Sequence, residues 1–106
     1  MTSLVQPITM RNFCEKLDTD KLVVLEFTAP SSEPCKFMKP KLERLAHEKQ
    51  DKTVFYALDI KEFKGLAEWL DVEALPTFAL VHKFCLKGRV IGVDEAELRR
   101  AIDSAN

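Results

Sequence analysis

At 106 residues, 46% of them apolar and 31% charged, the chain has material for one core, so residues 1–106 are expected to form a single domain. A formal net charge of −1 gives no electrostatic reason to expect nucleic acid or an anionic membrane as partner. No apolar run approaches the ~20 residues needed to span a bilayer, and Met1-Thr2-Ser3-Leu4-Val5-Gln6-Pro7 lacks the basic start and apolar core of a secretory leader, so an intracellular, cytoplasmic location is expected.

In chain order, Leu4-Val5-Gln6 reads as a short first strand. Thr9 is expected to open a helix whose Phe13 and Leu17, spaced i, i+4, face the core while Cys14 points outward. Asp18-Thr19-Asp20 turns the chain into Leu22–Phe27, an apolar run fit for the middle of a sheet covered on both faces. One acid, Glu26, interrupts that run.

Thr28–Ser31 is a turn, and Ser32 has the position of a helix N-cap, with Glu33 and Pro34 in the first turn. The helix is predicted over Pro34–Lys49. Phe37, Met38, Leu42, Leu45 and Ala46 form its buried stripe, Lys36, Lys39, Lys41, Glu43, Arg44 and Glu48 its wet side, and Pro40 lies within it. Cys35 falls on its first turn, at the C-terminal edge of the central strand, where ligands gather in open α/β sheets.

Thr53–Asp59 reads as a strand parallel to the central one. Phe63–Leu70 follows as a short helix interrupted by Gly65, with Leu66, Ala67 and Leu70 inward and Trp69 read first as half-buried core packing and second as an anchor for a partner. Phe78–His82 and Leu86–Ile91 form a hairpin around Lys83-Phe84-Cys85. Asp94 caps a last helix with Glu95 and Glu97 in its first turn.

Leu22 to Pro40 resembles the active-site segment of the thioredoxin family, which reads approximately V-V-D-F-x-A-x-W-C-G-P-C-K-x-x-x-P. Leu75-Pro76-Thr77-Phe78 resembles the family's cis-proline loop, and Gly92 its glycine before the last helix. The resemblance covers essentially the whole chain. It implies a thioredoxin-like α/β fold, a mixed sheet of four to five strands flanked by helices on both faces. The departure is local: Ser31-Ser32-Glu33-Pro34-Cys35 stands where the family has Trp-Cys-Gly-Pro-Cys.

In the family the first cysteine attacks the substrate disulfide as a thiolate and the second resolves the mixed disulfide. Ser32 cannot make that attack, so the expected function is a redox-poor binding or regulatory module rather than a dithiol reductase. Cys35 corresponds to the resolving cysteine, and two readings stand for it: an inert packed thiol, or a slow monothiol site open to glutathione or to a mixed disulfide with a protein client. Glu26 takes the place of the family's buried aspartate, a base for that thiol or a relic acid, with Ala57 beside it supplying no charged partner.

The resemblance further implies that Ser31, Leu75, Pro76 and Gly92 border a groove that takes an extended peptide as an added strand. A serine at position 31 removes one apolar wall of that groove, so the family's usual clients are not expected. The chain is expected to be a monomer or weak dimer. A third reading gives redox sensing to Cys14 or Cys85, and Phe84 beside Cys85 is a plausible contact point. Cys14, Cys35, Cys85, His47 and His82 lack metal-ligand spacing, and neither a metal nor another cofactor is expected.

Overall fold

A computed structural model describes residues 3–106. Nine elements follow in order: β1 (Val5–Pro7), α1 (Phe13–Leu17), β2 (Leu22–Thr28), α2 (Glu33–Lys49), β3 (Thr53–Asp59), α3 (Lys64–Trp69), β4 (Thr77–His82), β5 (Cys85–Ile91) and α4 (Glu95–Ala105). The five strands form one mixed sheet in the order β1-β3-β2-β4-β5, with β1, β3 and β2 parallel and β4 and β5 antiparallel to their neighbours.

The apolar run of β2 puts it at the centre, buried along nearly its whole length. Alternate side chains of a strand point to opposite faces, so β2 feeds two cores. Leu22 and Val24 pack with Phe55, Phe78, Leu80 and Val90 under Met38, Leu42 and Leu45 of α2 and Leu98 and Ile102 of α4. Val23, Leu25 and Phe27 pack on the other face with Leu58, Ala79 and Val81 against Leu17 of α1 and Phe63, Ala67 and Leu70 around α3. By this alternation Glu26 falls on the face covered by α2.

Several local expectations are corrected. The first helix begins at Phe13, not Thr9: residues 9–12 form a turn in which the Asn12 carboxamide accepts from the Thr9 N–H at 2.9 Å. Gly65 lies inside α3 without interrupting it. Phe37 is 52% exposed because it falls off the stripe defined by Cys35, Met38, Leu42, Leu45 and Ala46, and the Lys41 ammonium sits 4.9 Å from its ring centre. Trp69 is 75% exposed, since it lies about 200° around α3 from buried Ala67. Cys85 is the first residue of β5, and Lys83 and Phe84 alone form the tight turn, both left-handed with φ of 51° and 66°.

Candidate active site

The site begins where β2 ends. The chain turns through Ala29-Pro30-Ser31, and the Ser32 N–H donates to the Ala29 carbonyl at 3.1 Å. Ser32 has extended backbone angles and caps α2: its Oγ accepts from the Cys35 N–H at 3.3 Å. A hydroxyl here satisfies one of the N–H groups that a helix start leaves without an intrahelical partner. Glu33 complements the positive end of the helix, and its 3.2 Å pair with Lys36 lies in solvent, where it adds little.

Cys35 is a free thiol, 6% exposed, on the inner side of the first turn of α2. Beside it a cleft of about 570 Å³ opens between α2, the ends of β2 and β3, and the chain leaving β1. Glu26 lines the same cleft and is 7% exposed. Burial pushes its carboxyl up to about 7, and the Lys39 ammonium opposes the rise without cancelling it. A buried carboxyl that changes charge near neutrality, in one cleft with a thiol, is equipped to exchange a proton there.

A second group of residues lies on the other side of β2. The Leu75–Pro76 peptide bond is cis, and Thr77 Oγ1 donates to the Ala74 carbonyl at 2.6 Å. Gly92 has φ of 87°, a conformation side chains resist, and its N–H donates to the Pro76 carbonyl at 2.8 Å. Thr77 pairs with Phe27, so this loop stands at the same end of the sheet as Ser32 and Cys35. Ile91 and Val93, 56% and 45% exposed, flank Gly92 and give this side an apolar surface.

The structure therefore joins Glu26 to Cys35 through the cleft, and Pro76 to Gly92 through a hydrogen bond. Ser31 is exposed and lines no part of the cleft, and Leu75 packs onto the core beneath α3. Three participants were missed by sequence reasoning. Lys39 belongs by composition to the solvated face of the helix, although its spacing of one turn from Cys35 puts it at the margin of the inward stripe. Ile91 and Val93 carried the weaker signal of flanking Gly92. Cys14 and Cys85 are both exposed and lie outside the cleft. Among the described residues no cluster of His, Cys, Asp and Glu has the geometry of a metal site, and no helix is long and apolar enough to cross a membrane.

The sequence profile of the thioredoxin family matches residues 4–104. A thioredoxin of Echinococcus granulosus is 39% identical over 85 residues, 80% of this chain and 78% of that protein. Thioredoxin H-type 1 of Nicotiana tabacum is 38% identical over 91 residues, 85% of this chain and 71% of the relative. Among solved structures, the thioredoxin NaTrxh of Nicotiana alata superposes with a TM-score of 0.88 at 27% identity, covering 98% of this chain and 94% of that one.

Proposed function

Since the chain belongs to the thioredoxin family, we propose that it keeps the family's peptide groove without the family's dithiol turnover, as a redox-poor binding or regulatory module. The observation that carries this reading is the pair Ser32 and Cys35: a hydroxyl capping the helix, with one buried sulfur behind it. A serine hydroxyl keeps its proton near neutral pH and does not exchange with disulfides. Cys35 has no thiol partner one helical turn away, so no intramolecular disulfide closes at this site.

Recognition does not need that chemistry. The backbone at Leu75, ahead of the cis bond, with Ile91 and Val93 beside it, suits an extended protein or peptide segment added as a strand. A serine at position 31 leaves that groove without an aromatic wall and changes which segments fit. The partner in this reading is a protein client met in the cytoplasm by a monomer or weak dimer.

Glu26 favours a second reading, monothiol exchange. Glu26 takes the Cys35 proton, and the resulting thiolate attacks a disulfide of a client or of glutathione. One Cys35–S bond forms, the old S–S bond breaks, and one thiolate leaves. The adduct then waits for an external thiol such as glutathione to release it.

Alkylation separates the two in a Cys14→Ser, Cys85→Ser background. Labelling of Cys35 only on unfolding supports the binding module. Rapid labelling of the native protein at neutral pH, slowed by Glu26→Gln, supports exchange.

A further inference from the structure

The cleft beside Cys35 is far larger than proton exchange with one thiol requires. Its volume of about 570 Å³ lies within the ~300–1,000 Å³ of small-molecule sites. Much of the wall is apolar, from Ile8, Pro30, Leu42 and Ala57. The small side chain of Ala57, opposite Glu26 on β3, keeps the space beside that carboxyl open.

Glu26 is the most buried charged group of the lining, and its carboxyl makes no hydrogen bond to any described residue. No buried side-chain oxygen among the described residues lacks a partner, so the Glu26 carboxyl, without a protein donor, meets solvent through the cleft and is open there to a donor from a ligand. The other carboxylates already accept hydrogen bonds: Glu43 from the Leu4 N–H at 3.2 Å, Asp59 from the Lys61 N–H at 2.8 Å, and Glu62 from the Met10 N–H at 2.6 Å. Lys36 is turned to Glu33, and Lys39, exposed, acts on Glu26 through its field alone. Four carboxyl groups face two ammonium groups, so the lining carries net negative charge.

We infer that this cleft binds a small organic amine, with the ammonium on the Glu26 carboxylate and the hydrocarbon body against Ile8, Leu42 and Ala57. The charge of the lining selects a cation over an anion, and the unpartnered acceptor selects a donor over a plain hydrocarbon. Leu75, Pro76 and Gly92 lie across β2 and do not line the cleft, so the inference stands apart from the peptide groove.

Binding is linked to pH. The groups facing Glu26 are Cys35, Lys36, Lys39 and Glu43 from α2, Asp59 from β3 and Glu62 from the turn after it; Ala57 and Phe78, its partners on β3 and β4, carry no charge. An ammonium binds the carboxylate form of Glu26, so affinity rises as pH climbs through about 7 and levels off above.

The test titrates benzylamine into the full chain by two-dimensional amide NMR, with benzyl alcohol as the uncharged isostere. The expected result is saturable shifts at Glu26, Thr28, Cys35 and Ala57, with the amine binding about tenfold tighter than the alcohol, the effect of a charge-assisted hydrogen bond. Affinity increases from about pH 6 to about pH 8 while the amine stays cationic. Glu26→Gln removes the preference for the amine, and Lys39→Gln strengthens binding. Equal binding of the alcohol, affinity that does not change with pH, or no saturable shift at those amides overturns the inference. The pH series uses unaltered protein, so it decides the matter even where Glu26→Gln fails to fold.

Discussion

The Oγ of Ser32 accepts a hydrogen bond from the backbone N–H of Cys35 at 3.3 Å. One side chain thus serves the fold as a helix cap and, in the function proposed above, stands in place of the family's nucleophile. These two demands separate experimentally. Ser32→Ala removes the cap and costs about 1 kcal/mol of stability, read as a lower urea midpoint at unchanged slope. Ser32→Gly, which caps nearly as well through solvation of the freed N–H, costs only a few tenths. Equal loss in both variants would contradict the capping role.

Glu26 makes stability depend on pH. Its folded carboxyl titrates at about 7, above its ordinary 4.5, so the folded state prefers the protonated form. The sign follows: stability is fully present below about 4.5, declines as pH rises toward 7, and stays reduced above. At about 1.4 kcal/mol per pH unit of displacement, the loss is on the order of 3 kcal/mol. Glu26→Gln therefore stabilises the protein in urea melts at about pH 8.5 by far more than at about pH 4.5. The same difference at both pH values would show that Glu26 titrates normally.

Lys39 holds Glu26 below the value that burial alone would impose. Lys39→Met moves the Glu26 titration upward, followed by carboxyl-carbon NMR. A downward move, or none, would show that the two charges do not interact.

Lys83 and Phe84 both sit in the left-handed region at the β4–β5 turn, where Asn-Gly is the favoured pair. A side chain there costs roughly 1–2 kcal/mol. The double change Lys83→Asn, Phe84→Gly is expected to raise stability by about 1 kcal/mol, seen as a higher midpoint of thermal unfolding. A lower midpoint would mean that the Phe84 ring stabilises the fold by more than its backbone strains it.

Trp69 supplies an optical check on the packing of α3. At 75% exposure its emission is that of an indole in water, acrylamide quenches it in the native state, and unfolding changes it little. Trp69→Ala shifts stability by less than about 0.5 kcal/mol. Blue-shifted, protected emission would place the ring in the core instead.

The order of elements and the centre of the sheet were legible because they rest on patterns the backbone itself enforces. Leu22–Phe27 is apolar on both faces, Ser32 and Asp94 have the chemistry of caps, and alternation assigns each strand residue a face. Failures came where one residue's neighbours on a helix decide its exposure. Phe37 and Trp69 are large and apolar, yet their angular positions turn them outward. The fold class says nothing of such angles. At the site, Glu26 and Cys35 were visible as an acid and a thiol in unusual surroundings. Lys39 was not, because a lysine on an exposed stretch of helix betrays nothing until the strand beneath it is known to carry a buried acid.

The most direct measurement follows insulin-disulfide reduction by the unaltered chain with thioredoxin reductase and NADPH, beside Ser32→Cys. No catalytic turnover is expected from the unaltered chain and a clear gain from Ser32→Cys, since the thioredoxin scaffold is present and the proposed groove does not depend on Ser32. Sustained electron transfer by the unaltered chain, cycle after cycle, would contradict this expectation.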